Sequence, residues 1–169
     1  DAGCQGGGAI LLTNNDDAVY NADGSMAPYA PSTPVLENLY LTGNHAYNGG
    51  GIGVFRLIGP TIENIIVKEN SSYSFGGGVF QHAGVTTISN TKITDNNALT
   101  QHGGGIAVFF GGALLNNVEI SNNIAENLGG GAAFYQSEVD LSNTTICNNI
   151  DYANNSAIWS NSSTVGIVN

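Results

Sequence analysis

Five Gly-Gly-Gly triplets recur along this chain, at residues 6–8, 49–51, 76–78, 103–105 and 129–131, with starts 43, 27, 27 and 26 residues apart. A period in that range marks a solenoid, whose units bury a core only by stacking on one another. Function in such a chain is expected on a long, repetitive surface rather than in one deep pocket.

The period extends beyond glycine. Segments 36–44, 62–70, 88–96, 115–123 and 141–149 share one order, running aliphatic, variable, Asn, two variable, aliphatic, two variable, Asn. The first Asn recurs as Asn38, Asn64, Asn90, Asn117 and Asn143, and again at Asn169. The second recurs as Asn44, Asn70, Asn96, Asn123 and Asn149. An apolar row follows the triplets as Ala9, Ile52, Val79, Ile106 and Ala132, and as Ile158 where the triplet has decayed to Asn155-Ser156-Ala157.

The units read as strands. Their apolar residues fall in short runs rich in Ile, Val and Thr with alternation such as Ile52/Val54 and Ile65/Val67. Triple glycine is a poor helix interior but suits a turn with positive φ or a close backbone approach. A coil of 26–27 residues matches three short strands and three corners, with coils about 4.8 Å apart in parallel ladders. The expected fold is all-β, a right-handed parallel β-helix of about six coils forming a single segment over residues 1–169. Because Asn169 falls in mid-coil, the segment is expected to belong to a longer solenoid or to be capped by neighbouring copies.

Asparagine suits the corners, since it tolerates the left-handed conformation and its amide satisfies nearby backbone. Like amides in successive coils can also bond along the stack. Both Asn rows are therefore expected to be structural ladders, with the Asn38-type residue turning the chain.

Charged residues are 9% of the chain, with 3 basic against 13 acidic and a net charge of −10. Nucleic acid as a partner is excluded, because no basic stripe is present to displace counterions. Binding to an anionic membrane is disfavoured for the same reason, and no stretch is long enough for a spanning helix.

The first interval is 16 residues longer than the next, and the excess lies near residues 20–34, which hold three of the four prolines and the sole methionine. Proline cannot join a ladder, so a loop is expected to leave the stack there. It serves either as a cover for the first coil or as a recognition loop using Tyr20, Met26 and Tyr29. Cys4 and Cys147 lie about four coils apart, too far for a disulfide. Of four Asn-x-Ser/Thr sequons, Asn70, Asn154 and Asn161 are candidate glycosylation sites. Asn143 is expected to stay bare as a buried corner.

The Gly-Gly-apolar element (as in Gly50-Gly51-Ile52 and Gly77-Gly78-Val79) pairs with an aliphatic-x-x-Asn element, as in Val67–Asn70 and Ile93–Asn96. Together they resemble the paired repeats of the polymorphic outer-membrane protein family and of pectate-lyase-like β-helix surface proteins. That resemblance implies a right-handed β-helix with a role in adhesion or surface structure.

Catalysis by a β-helix needs carboxylates or a base in matching registers of adjacent coils. The outward file Tyr40, Ile66, Lys92, Glu119, Thr145 holds one carboxylate, and the file Thr42, Lys68, Thr94, Ser121, Cys147 holds none. His45 and His102 are out of register, which argues against a shared metal. No cofactor is expected, although a weak Ca²⁺ site from scattered Asp residues stays open. The expectation is thus a non-enzymatic extracellular or cell-surface scaffold or adhesion segment, partnered by its own copies, other surface proteins or glycans. A polysaccharide-binding or polysaccharide-degrading protein and an ice-binding protein are the alternatives.

Overall fold

In the computed structural model, which describes residues 8–13 and 33–169, every strand pairing is parallel and joins residues one repeat apart, as in Ile52↔Val79↔Ile106↔Ala132. No helix occurs among the described residues. The period is therefore realised as the expected all-β parallel β-solenoid, of about 5 turns. Only the first two sides of the coil carry a sixth rung among the described residues.

Each coil has four sides where the sequence predicts three. One sheet holds the first three sides, which run without a break through the long strands Val79–Thr94 and Ile106–Ser121. The fourth side is a separate 5-stranded sheet of two-residue strands, His45–Ala46, Ser71–Ser72, Asn97–Ala98, Ile124–Ala125 and Ile150–Asp151. Strands that short carry no periodicity to read.

Every corner is a left-handed residue. The Asn38 row turns the second side into the third, with φ of 58°, 53°, 49°, 55° and 47° at Asn38, Asn64, Asn90, Asn117 and Asn143. At the next corner the left-handed residues are Gly43, Glu69, Asp95, Asn122 and Asn148, each just before a member of the second Asn row. That second row therefore does not itself turn the chain. The corner between the first and second sides, at Arg56, Ala83, Phe110, Gln136 and Ser162, has no common residue type. The fourth corner is the first glycine of the later four triplets, Gly49, Gly76, Gly103 and Gly129, and Asn155 in the last coil.

Alternation sends Ile52, Val54, Ile62, Ile65 and Val67 into a continuous core with their equivalents in the other coils, many of them fully enclosed. The first rung enters one residue later than the sequence suggests, since Ile10 and not Ala9 pairs with Ile52. From the second triplet onward, the middle and third glycines meet the backbone of the fourth side and the core, respectively.

The first Asn row lies at the surface, so Asn143 is exposed where a buried amide was expected. Its ladder is loose. Asn117 Nδ2 donates to Asn90 Oδ1 at 2.8 Å, but Asn90 Nδ2 reaches Glu63 and Asn143 Nδ2 reaches Asn116. Asn90→Leu is therefore expected to cost only about 1 kcal/mol, chiefly for a branched residue in the left-handed region. The shift in urea midpoint measures it.

Candidate functional site: an aromatic trough

Because Ile52 and Val54 point inward on the first side, the residues between and after them point out. Two outward files result. One runs Phe55, His82, Phe109, Tyr135, and the other Phe80, Ala107, Ala133, Trp159. Phe80 and Phe109 lie almost buried, with centroids 5.7 Å apart and edge to face, and close over the alanines as a floor. The alanines are small because those rings occupy the space above them.

Two walls of rings flank this floor. Phe75 and His102, from the turns before the triplets, and Trp159 form one, at 5.7 and 4.9 Å between successive centroids. Phe55, His82, Phe110 and Tyr135 form the other, at 6.3, 5.5 and 5.2 Å. Phe110 reaches that wall because its left-handed φ of 56° turns the chain there, and it is 50% exposed. Between the walls lies a trough of about 790 Å³, with Arg56 also in its lining. No carboxylate lines it among the described residues. That volume falls in the range of small-molecule and oligomer sites.

His102 is held in one tautomer. The Leu128 amide donates to its Nδ1 at 3.2 Å, which leaves the ring proton on Nε2. Burial lowers its pKa, against a weaker opposing pull from Asp151. The neutral ring stacks on Trp159 at 26°.

The three middle members of the second Asn row are buried and fully bonded. Asn70, Asn96 and Asn123 each donate Nδ2 to the side-chain oxygen of the next Asn, at 3.1, 3.0 and 3.0 Å, and to a carbonyl of the preceding coil. Asn44 opens the ladder at 2.9 Å, and Asn149 receives it. Asn70 is therefore not a glycosylation site, since its amide is 1% exposed and both of its hydrogens are engaged. Asn154 and Asn161 are exposed. Tyr20, Met26 and Tyr29 fall outside the described residues, as does Cys4. Cys147 carries a free thiol.

The sequence reading passed over Asp151, a fully enclosed carboxylate. It accepts from the Gly129, Asn154 and Ser156 amides at 2.9, 2.6 and 3.0 Å and from the Ser156 hydroxyl. Burial pushes its pKa up, but these donors outweigh burial and hold it below the ordinary value. Asp151→Ala is expected to lower stability by about 2 kcal/mol by stranding donors. A depressed carboxyl pKa contributes stability above its unfolded pKa and loses it as pH falls through the folded one. The wild type should thus lose that increment below about pH 4, and an acid titration of Asp151→Ala should lack it.

Elsewhere at the surface Lys92 pairs with Glu119 at 3.0 Å and Lys68 with Glu69 at 3.0 Å. Such pairs contribute little. Among the described residues no His, Cys, Asp and Glu side chains gather in a group that could hold a metal. His45 Nδ1 lies 2.8 Å from the Ser71 hydroxyl on the fourth side. Arg56 and His82, placed near one register by the sequence, both line the trough. Thr42 and Thr94 share a file, with Lys68 between them.

These features define a parallel β-solenoid with an aromatic trough on its first side. Comparison with protein-family models, curated proteins and solved structures finds no match for the chain. The resemblance in its repeats therefore supports the solenoid and not a particular family.

Proposed function

We propose that this chain is a non-enzymatic, extracellular or cell-surface scaffold segment that adheres through the aromatic trough. The observation carrying the reading is the pair of ring walls laid along a rigid stack, one of them with a ring on each of four successive rungs. Aromatic side chains supply large contact area at low entropic cost and dominate recognition surfaces. A solenoid holds them at fixed spacing without any ordering on binding. The groups in the trough stack and donate hydrogen bonds, and no carboxylate is among its described lining residues.

Beads coated with the protein test the reading. They are expected to be retained on cell-surface or matrix preparations, with retention falling about tenfold for the double variant Phe110→Ala, Tyr135→Ala, whose melting temperature stays near that of wild type. Equal retention of wild type and variant, or none with either, rules the proposal out.

A further inference from the structure

We propose that the trough takes an uncharged, extended polysaccharide of equatorially linked pyranose units, laid along the solenoid axis with about one sugar per rung. This rests on reading the trough as a recognition surface, and it adds the ligand's chemistry.

The spacing is the first argument. Successive rings of the Phe55, His82, Phe110 and Tyr135 wall, one to a rung, stand 5.2 to 6.3 Å apart, because each rung lifts the next by about 4.8 Å. An extended chain of equatorially linked pyranoses repeats at nearly that rise. It can therefore offer one sugar face to each rung over the whole trough. An extended peptide presents like-facing side chains only every ~6.7 Å and slips by a full rung within about three repeats. A peptide can match one or two rings, whereas a glycan can match the file.

The second argument is the chemistry of the faces. A pyranose carries apolar C–H groups on its faces and hydroxyls at its edge, which complements ring faces flanked by polar edges. The trough supplies both, with the walls of Phe55, Phe75, Phe110 and Trp159 beside the imidazoles of His82 and His102 and the Tyr135 hydroxyl. His102 presents a fixed Nε2–H donor, since its Nδ1 is occupied by the Leu128 amide.

Charge is the third. The chain carries a net −10, so a polyanionic glycan is repelled by the molecule as a whole. A cationic ligand finds no carboxylate among the described lining residues. An uncharged glycan meets neither obstacle.

The experiment uses the single tryptophan, Trp159, which sits in the wall. The full chain is titrated with β-1,4-linked glucose, xylose and N-acetylglucosamine oligomers, from dimer to hexamer, following Trp159 emission and heat of binding. The expected result is affinity rising roughly threefold per added unit in at least one series and levelling near the pentamer. Tyr135→Ala should weaken the hexamer about tenfold without moving the melting temperature, and Phe110→Ala serves as a second variant. Length-independent affinity, tighter binding of oligogalacturonate, or no response in any series overturns the proposal. So does a silent titration combined with a shifted Trp159 emission in the full chain carrying Tyr20→Ser and Tyr29→Ser, which would mark the chain's own segment as occupant. Bead retention that depends on Phe110 and Tyr135 while every oligosaccharide fails sinks the sugar and leaves the recognition reading standing. Failure of both assays removes both.

Discussion

Gly104→Ala is expected to lower the stability of the solenoid by about 4 kcal/mol, among the largest losses a single methyl group can cause. Gly104 is the middle glycine of its triplet and has an ordinary negative φ, so conformational strain is not the cause. A Cβ there would be driven into the carbonyl oxygens of Ile124 and Gly130, which belong to the next coil's backbone. Neither can yield locally. The Ile124 segment is bonded on both sides in the fourth-side sheet, and Gly104 itself donates to Gly129 O at 3.3 Å. At Gly43, by contrast, φ is +68° and nothing lies within 4 Å of an added Cβ. Gly43→Ala should therefore cost only the left-handed penalty of about 1 kcal/mol. Urea midpoints of the two variants separate close approach from backbone strain. If they unfold together, the triplets serve φ alone and the packing account is wrong.

That contrast explains what the sequence could reveal. Glycine and asparagine were legible because their positions admit few substitutes. Gly103 needs a positive φ, Gly104 faces backbone, and an added Cβ at Gly105 would crowd the Asn123 amide. Triplet and second Asn row stay in register because they touch. The corner at Arg56, Ala83, Phe110 and Gln136 escaped notice because it demands a backbone angle and no particular side chain. The trough was half written. The fourth residue after each complete internal triplet is Phe55, His82, Phe109 or Tyr135, a ring every time. Its opposite wall comes from Phe75 and His102, on the far side of the triplets, and only the closed coil brings the walls together. Asp151 was invisible for another reason. It stands where earlier coils carry Ala98 and Ala125, and its donors come from the irregular turn beyond it and from Gly129 of the preceding coil.

Asn123→Leu is the second large effect, expected at about 4 kcal/mol. The amide is fully buried and makes every bond it can. Its oxygen accepts the Asn96 backbone amide at 2.9 Å and Asn96 Nδ2 at 3.0 Å, while its own Nδ2 donates to Ile93 O at 2.8 Å and to Asn149 Oδ1 at 3.0 Å. Leucine has a similar volume but no partner for any of these. It strands a buried N–H and a buried carbonyl between coils and cuts the ladder in its middle. Each stranded group costs about 1–3 kcal/mol. At the end of the ladder Asn44 is only half-buried, so water can replace part of what Asn44→Leu removes, and the loss should be about 1 kcal/mol. The order of urea midpoints should thus run wild type, then Asn44→Leu beside Asn90→Leu, then Asn123→Leu well below. Should Asn123→Leu fall level with Asn90→Leu, the buried amides would be passengers, and the core and glycine packing would hold the coils in register without them.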